Sequence, residues 1–498
     1  MGAGMGWAVL TGLLLTGMTA ATPPSAIPVR GGNALTLPAH RHIVRVSRSE
    51  GSVLLAAVQQ GGLDGQGLRM FRSDNGGNTW KLEGVIHDGS PYDRADLIVV
   101  GQDVALVYAV ETPDSTGISG STSRDVYFQW WRYSASKGRW SAQSPVRVFD
   151  STSSSTAYYR AELARDSKGR LWVQAFFREK DASNTLSIAV SSDGGSTFRE
   201  QSALARDIPK RGGGRLVSLG SRMMVLWSSH DGHDRTHYRI RDDSASLSTW
   251  SSTRTAFSDG IYHGAALSAV ADGKGGLHLV YKDNSERLVY RRFDGSAFGS
   301  AVRVLEDGDW ATQPALTRVG SALYLFYNQP RSDGAGYRLW VRALSSSGKP
   351  GAGRELASVS GFAGYPAAPE VLPSGVPLVC FFGIEPSSGS SVRLSFFSTS
   401  ASSLKSQTVA AKQAEASAGE RPGDEAGDAR SVAATGGSGG PSSFDPPPDV
   451  GSVGSALTGA SQQAMAAGCG GASAMLAVGV TLLLMEAGRR RRVRVLRF

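Results

Sequence analysis

The chain repeats a short phrase that combines aromatic residues, an arginine and a carboxylate. Tyr92–Leu97 (YDRADL) recurs as Tyr158–Leu163 (YYRAEL), and looser copies begin at Tyr262 and Tyr365. Aromatic rings stack on the apolar face of a sugar, and an arginine fork binds a carboxylate or neighbouring hydroxyls. If these phrases meet in one cavity, their residue types favour a carbohydrate site. The alternative is that each arginine pairs with the acid of its own repeat and serves only the fold.

The spacing of the phrases indicates the elements that must position them. His40 precedes Tyr92 by 52 residues, and fainter copies near Lys210 and Trp310 bring the number of unit starts to seven. A period near 50 residues that is built from short strands is typical of a β-propeller. A propeller directs the same end of every innermost strand towards one central hollow. We therefore predict an all-β propeller of four-stranded blades, with seven repeats counted and six blades still possible.

The local pattern within each unit agrees with strands. Leu171–Phe177 and Leu277–Tyr281 are apolar, aromatic runs that follow turns containing Gly169 and Gly275. Such runs, bounded by Gly, Ser and Asp, indicate half-buried strands. We find no helical period between about residues 35 and 400. The predicted propeller domain therefore spans 35–401.

Two turns carry a more specific signature. Ser191–Phe198 and Ser73–Trp80 both read Ser-x-Asp/Asn-Gly-Gly-x-Thr-aromatic, with Asn75 at the acidic position of the second. Paired glycines permit positive φ, and the Asp or Asn side chain binds nearby backbone amides. These turns resemble the Asp boxes, or BNR repeats, of sialidases and related propellers. In that family the boxes lie on outer turns, so we expect a structural role for both.

The resemblance to sialidases also implies roles for particular residues. Asp64 lies in a loop before the turn at Ser73–Trp80, where the family has its catalytic acid. Tyr365 resembles the nucleophilic tyrosine of the last blade. Glu162 is the candidate general base. The Arg-Ile-Pro motif of the family is absent, and Arg41 or Arg45 is its nearest substitute. A tyrosine nucleophile suits a sialic acid, whose own carboxylate would repel a charged one.

The remaining candidates for substrate binding follow from the unit starts. Together with Arg41 and Arg45 they are Tyr92, Arg94, Tyr158, Arg160, Tyr262, His263 and Trp310. Two functions stay open: an exo-glycosidase of sialidase type acting on sialic acid or related acidic sugars, and a non-catalytic surface propeller that binds glycans or proteins. A third reading places a metal at His230–Asp234 with His237. We expect no metal and no cofactor.

The two ends of the chain predict export and surface display. Residues 1–22 read as a signal peptide, and 402–468 is a low-complexity, flexible linker. Residues 469–498 combine Cys469, a short apolar run and Arg489–Arg492. This combination resembles the MYXO-CTERM sorting signal of myxobacterial surface proteins, which implies processing at Cys469 and anchoring at the bacterial outer membrane. An ordinary C-terminal membrane anchor is the alternative.

Charge and cysteine content exclude other classes. The formal net charge is +9, and six arginines after residue 488 supply most of it, so the basic balance does not indicate a nucleic-acid partner. Of the two cysteines, Cys380 lies in an apolar strand-like run and is predicted to be a buried thiol. We therefore expect no disulfide. We also expect a monomer whose partners are glycans and, through its C-terminal segment, a membrane.

Overall fold

The computed structural model describes most of the chain between residues 26 and 404. The described residues are 26–29, 35, 38–60, 67–88, 94–111, 123–151, 156–179, 184–208, 213–228, 235–262, 266–309, 312–360, 362–363, 365–385, 393–402 and 404. All of them belong to the first of two compact units, residues 1–434. The predicted signal peptide, nearly all of the linker, and the C-terminal segment lie outside this part, so they stay predictions. Within it, no helix is long and apolar enough to span a bilayer.

The described residues are organised almost entirely as short strands. In chain order these are β1 (Ala26–Pro28), β2 (Ile43–Arg48), β3 (Gly51–Gln59), β4 (Leu68–Ser73), β5 (Lys81–His87), β6 (Arg94–Val100), β7 (Asp103–Glu111), β8 (Ser123–Ser134), β9 (Arg139–Ala142), β10 (Val146–Phe149), β11 (Thr156–Arg165), β12 (Leu171–Glu179), β13 (Asn184–Ser191), β14 (Arg199–Glu200), β15 (Ala205–Ile208), β16 (Gly213–Ser218), β17 (Arg222–Ser228), β18 (Thr236–Asp242), β19 (Arg254–Phe257), β20 (Leu267–Ala271), β21 (Leu277–Lys282), β22 (Leu288–Phe293), β23 (Val302–Leu305), β24 (Pro314–Val319), β25 (Ala322–Pro330), β26 (Gly336–Leu344), β27 (Pro350–Ser360), β28 (Phe362–Ala363), β29 (Val371–Leu372), β30 (Leu378–Glu385) and β31 (Arg393–Thr399).

These strands form seven sheets, each a blade of a propeller. Blades 1 to 6 follow the chain as β2–β5, β6–β10, β11–β15, β16–β19, β20–β23 and β24–β27. Consecutive strands pair antiparallel, except that β9 and β10 both pair with β8, and β14 and β15 both pair with β13. Blade 7 has the order β1-β31-β30-β28, so the first strand of the chain completes the last blade. The prediction of an all-β propeller is confirmed, and the count of seven repeats equals the number of blades.

Hydrophobic packing closes the ring. Separate core clusters join blades 1 and 2, 2 and 3, 3 and 4, 4 and 5, and 5 and 6. A sixth cluster contains Ile43 of blade 1, Phe326 of blade 6, and Ile27 and Phe381 of blade 7. Each blade therefore shares buried apolar surface with both of its neighbours. Burial of this kind is the main favourable contribution to folding.

The inner strand of blade 7 is irregular. Ala367 exchanges two backbone hydrogen bonds with Phe381 of β30, at 3.0 and 2.8 Å, but β29 then pairs in parallel with β24 of blade 6. Pro366, Pro369 and Pro373 interrupt this segment. Proline has no amide donor, so a regular antiparallel ladder is excluded here. The segment instead joins blades 6 and 7 and carries Glu370 between them.

The two Gly-Gly turns fasten neighbouring blades to each other. In the turn of blade 3, Ser191 Oγ accepts a hydrogen bond from Gly195 N at 2.7 Å, and Asp193 accepts one from Thr197 N at 3.0 Å. Phe198, just after the turn, packs on Phe128 of blade 2 with ring centres 5.1 Å apart. The structural role expected for this turn agrees with these contacts.

The corresponding turn of blade 1 uses an amide in place of the carboxylate. Asn75 Oδ1 accepts a hydrogen bond from Thr79 N at 2.9 Å, as Asp193 does from Thr197 N in blade 3. Trp80 then packs against Phe381 of blade 7, with ring centres 4.7 Å apart. The substitution of Asn for Asp therefore leaves the geometry of the turn unchanged.

Candidate functional site

Ionisable side chains from five blades meet in the central hollow. Asp96, Glu162 and Arg215 lie on the inner strands of blades 2, 3 and 4, and each directly precedes a buried leucine. Arg41 comes from the segment leading into β2, and Glu370 from the irregular inner segment of blade 7. Blades 4 and 7 are not neighbours, so the ion pair between Arg215 and Glu370 can form only across the hollow. We call these five residues the hub.

Asp96 is the most connected member of the hub. One of its oxygens accepts hydrogen bonds from the backbone N and the Nε of Arg41, both at 2.8 Å, and the other accepts from Arg41 Nη2 and from Leu163 N, the latter at 2.8 Å. Arg215 Nη1 lies 3.6 Å from the same carboxylate. Asp96 therefore links the inner strand of its own blade to those of blades 1, 3 and 4.

Glu162 repeats this arrangement one blade further on. Its Oε2 accepts hydrogen bonds from Leu216 N of blade 4 at 2.6 Å and from Gln174 Nε2 at 3.2 Å, and lies 3.8 Å from Arg215 Nη1. Asp96 and Glu162 thus each bind the backbone amide of the following inner strand. Their equivalent positions explain why the repeated phrase ends in an acid followed by leucine.

Glu370 lies between the two arginines. Its Oε1 pairs with Arg215 Nη2, and its Oε2 lies 3.9 Å from Arg41 Nη1. Its side chain is 26% exposed, whereas those of Asp96 and Glu162 are at most 2% exposed. Glu370 is therefore the acid of the hub that solvent, and a molecule in the hollow, can reach.

Burial and charge shift the proton affinities of the hub in opposite directions. Burial opposes ionisation of Asp96, but the charges of Arg41 and Arg215 outweigh it and hold the pKa of Asp96 below its usual range. For Glu162 burial dominates, and together with the nearby Asp96 it raises the pKa to about 8. Asp96 is therefore ionised at neutral pH, whereas Glu162 holds a proton.

His40 borders the hub and is buried without a hydrogen-bond partner among the described residues. It is 6% exposed, and neither ring nitrogen is bonded. Burial, reinforced by the charges of Arg215 and Arg41, lowers its pKa well below the usual value. A neutral imidazole beside the arginines has one donor and one acceptor still to be satisfied.

Three other predicted site residues lie outside the hub. Tyr158 is 6% exposed and stacks on Phe149 with ring centres 4.8 Å apart. Arg45 Nη2 donates to Ser52 Oγ within blade 1. Tyr365 is 7% exposed and lies at the start of the inner segment of blade 7. Of the predicted set, only Arg41 and Glu162 belong to the hub.

Arg160 and Tyr262 lie at the end of the ring where the inner strands begin, which we call the strand-start face. Arg160 is half-buried and forms a bulge in β11, where two residues face one residue of β12 between the Tyr159 and Glu162 pairs. Tyr262 is also half-buried, and the Nζ of Lys282 lies 3.7 Å from its ring centre. Both side chains therefore have partial access to solvent.

Backbone strain is concentrated at the same face. Three of the described non-glycine residues have positive φ: Arg160 at 52°, Asp207 at 55° and Glu286 at 62°. Arg160 lies near the start of β11, Asp207 near the end of β15, and Glu286 between β21 and β22, all at the strand-start face. Such conformations cost on the order of 1–3 kcal/mol and concentrate at functional sites.

Other predicted residues lie outside the part of the chain that is described. These are Asp64, Tyr92, His263, Trp310 and Cys469, together with the side chain of Arg94 and the His230–Asp234 segment. Their assigned roles stay predictions. Among the residues that are described, no group of three or more His, Cys, Asp or Glu side chains is placed to hold a metal ion.

Three hub residues, Asp96, Arg215 and Glu370, are not among the site residues predicted from the sequence. Arg215 could have been found, because it precedes Leu216 as Asp96 precedes Leu97 and Glu162 precedes Leu163. Its positive charge concealed the equivalence with two acids. Glu370 has no such signal, since it depends on the irregular path of a proline-rich segment.

Comparison with known proteins assigns the chain to no family. No protein-family model matches it, and no curated protein sequence does. Among solved structures, the Hadza microbial sialidase Hz136 is similar at 15% identity with a TM-score of 0.42, over 61% of this chain and 66% of that one. The match thus covers just under two thirds of that sialidase.

Other similar structures also carry names of carbohydrate-active proteins. A polysaccharide lyase of family PL25, an ulvan lyase, matches at 10% identity with a TM-score of 0.49, over 78% of this chain and 99% of that one. The Aleuria aurantia lectin in complex with α-methyl-L-fucoside matches at 14% identity with a TM-score of 0.40, over 67% and 96% of the two chains. At these identities and scores the similarities assign this chain neither an activity nor a ligand.

Proposed function

We propose that this chain is a carbohydrate-binding propeller that takes an acidic sugar in its central hollow. The proposal rests on one observation: Arg41 and Arg215, from blades that are not neighbours, converge on the carboxylate of Glu370. Two guanidinium groups around one carboxylate are an arrangement suited to the carboxylate of a uronic or sialic acid.

Glu370 occupies the position that a sugar carboxylate would take. It is partly exposed, whereas the other acids of the hub are sealed from solvent. A ligand carboxylate can therefore replace Glu370 beside Arg41 without disturbing the pairing of Arg41 with Asp96. The unsatisfied ring nitrogens of His40 add hydrogen-bonding capacity for a hydroxyl in the same region.

Binding experiments test this proposal. Glucuronic acid and N-acetylneuraminic acid should bind the purified protein in calorimetric titrations, and galactose at the same concentration should bind at least tenfold more weakly. Glu370→Gln removes the competing charge and should tighten binding of the acidic sugars, while Glu306→Gln, an exposed acid outside the hub, should leave it unchanged. Equal binding of acidic and neutral sugars would overturn the assignment.

A second candidate function is hydrolysis by a sialidase-type mechanism, which the resemblance of Tyr365 and Asp64 to the catalytic residues of that family implies. Burial raises the pKa of Glu162 to about 8, so this acid must lose its proton before it can act as a base. In that mechanism Tyr365 would be the nucleophile, Glu162 its partner and Asp64 the acid on the leaving oxygen. We expect a fluorogenic sialoside to be turned over, and Tyr365→Phe and Asp64→Asn to abolish turnover. If sugars bind but no sialoside is turned over, only the binding function remains.

The sequence of the two ends extends the proposal to location. We propose secretion and display at the bacterial surface, through the 1–22 leader and the 469–498 segment. In the producing cell, intact-cell protease treatment should remove the propeller from the wild-type protein. Cys469→Ser should release it into the medium or retain it inside, and unchanged surface display would contradict processing at Cys469.

A further inference from the structure

A buried lysine lies at the strand-start face of blade 5, outside the hub. Lys282 is the last residue of β21 and is fully buried, and its backbone N donates to Ala266 O at 2.8 Å. Lysine is rarely buried to this degree, because its ammonium group loses its hydration. The groups around this amine must therefore compensate for the lost hydration.

Three segments from blades 5 and 6 enclose the amine. The ring centre of Tyr262 lies 3.7 Å from Nζ, and the backbone oxygen of Asp309 accepts from Nζ at 3.3 Å. Tyr337 Oη donates a hydrogen bond to Asp309 Oδ2 at 2.7 Å, so the side chain of Asp309 is held by a neighbouring phenol. The charges of Glu286 and Asp309 act on the amine from the turn after β21 and the segment before β24.

The turn beside the amine is strained and tightly packed. Glu286 adopts φ 62°, a conformation that a non-glycine residue rarely takes. Gly308 approaches it so closely that a Cβ there would lie 2.0 Å from the carbonyl oxygen of Glu286. The fold therefore holds this turn against the segment that carries Asp309, and keeps both acids near Lys282.

Burial changes the state of the amine. It lowers the pKa of Lys282 to about 7, against the opposing effect of Glu286 and Asp309. Burial likewise raises the pKa of Glu286, so a proton can reside on that acid more readily than in water. An amine that is partly unprotonated at neutral pH, beside an acid with a raised pKa, is suited to attack on a carbonyl.

We propose that Lys282 is the nucleophile of a carbonyl-binding site that takes small neutral aldehydes, including the open-chain form of a short sugar. The amine lone pair attacks the carbonyl carbon, a C–N bond forms as the C=O π bond breaks, and a proton moves from the nitrogen to the oxygen. The nitrogen then gives up its second proton, the C–O bond breaks with loss of water, and a neutral imine is left on Nζ, so no oxidant or reductant is needed. The two carboxylates of the cluster disfavour anionic aldehydes. Tyr262, half-buried over the amine, controls entry.

Reductive trapping tests the site on the full-length protein. The protein is incubated with glycolaldehyde and sodium cyanoborohydride at pH 7, digested, and each lysine peptide is quantified by mass spectrometry over time. Lys282 should be labelled at least tenfold faster than the exposed Lys274 and Lys349, because ordinary lysines are almost entirely protonated at this pH. Raising the pH to 10 should reduce this ratio, since the exposed amines then also lose their protons.

Control reactions distinguish a reactive amine from a sealed one. Tyr262→Ala should accelerate labelling of Lys282 and leave that of Lys274 unchanged, and Lys282→Met should remove the fast-labelled site without creating another. If Lys282 is labelled only after the protein is unfolded in urea, the amine is closed to carbonyls and the proposal is wrong. Labelling at the rate of Lys274 in the folded protein would also overturn it.

Discussion

The five residues of the hub act as one charged unit rather than as separate ion pairs. Taking such groups out of water costs several kcal/mol for each ion, and their mutual attraction offsets this only when the geometry is good. The hub meets that condition because the backbone amides of Leu163 and Leu216 satisfy further lone pairs on the acids. Removal of one member therefore leaves its partners buried and uncompensated.

Asp96→Ala should be among the most destabilising substitutions in the chain. It leaves Arg41 and Arg215 without their shared carboxylate and the amide of Leu163 without an acceptor. We expect a loss of about 3–5 kcal/mol in the free energy of unfolding, measured by urea denaturation. Glu306→Ala removes an exposed pair with Arg303 and should change stability by less than about 1 kcal/mol. Similar effects for the two variants would contradict the role of the hub.

Glu162 should make stability depend on pH. Its folded-state pKa, about 8, lies above the value of about 4.3 in an unfolded chain, so the native state binds a proton that the unfolded state releases between these values. Stability from this group therefore falls as pH rises from about 5 to 8, by on the order of 1.4 kcal/mol per unit. Glu162→Gln cannot titrate, so its stability relative to wild type should increase with pH in urea titrations from pH 5 to 8. A constant difference would exclude the raised pKa.

Residue types alone predict only some of the residues of the hub. Glu162 was a candidate because it belongs to the repeated phrase, and Arg41 because it is one of the nearest substitutes for the absent Arg-Ile-Pro motif. Their pairing was not visible, because Arg41 bonds Asp96 of the next blade rather than an acid of its own. Contacts between blades depend on how the ring closes, which no local pattern encodes.

Strands and turns were more predictable than the deviations from them. The periodicity of Leu171–Phe177 and the Gly-Gly turns follow from local rules on apolar alternation and positive φ, and β12 and both turns are present. The bulge at Arg160 has no such signal, since arginine is not a residue that local rules place in the left-handed region. The closeness of Gly195 to Phe128, from another blade, was equally invisible.

The two glycines of the blade 3 turn should respond differently to substitution. Both have positive φ, but a Cβ on Gly194 would meet open space, whereas one on Gly195 would lie 2.4 Å from the ring of Phe128. Gly194→Ala should cost about 1–2 kcal/mol, the price of left-handed backbone alone. Gly195→Ala adds overpacking of about 1–3 kcal/mol. Thermal unfolding of both variants measures the difference, and equal melting temperatures would show that the contact with Phe128 is not significant.

Closure of the ring joins the two ends of the propeller. The spacing of the unit starts indicated seven repeats, with six blades still possible, and the predicted domain began at residue 35, whereas β1 lies before it. Three residues are too short to read as a strand in sequence. Their position is fixed by β31, whose Leu394 pairs with Ile27, and by the apolar cluster that joins blades 1, 6 and 7. The first strand therefore holds the ring closed although it is only three residues long.

Ile27→Ala should destabilise the whole propeller, because Ile27 lies in the apolar cluster that joins blades 1, 6 and 7. Ile27 is 1% exposed, and truncation of a buried isoleucine to alanine costs about 2–5 kcal/mol. Leu82→Ala is the matched control, because Leu82 also lies on the outermost strand of its blade but is 55% exposed. We expect Ile27→Ala to lower the melting temperature and to make blade 7 the first region cut in limited proteolysis, while Leu82→Ala leaves both unchanged. If the two variants unfold alike, or if cleavage begins in another blade, β1 does not close the ring and the circular packing of the seven blades is stable without it.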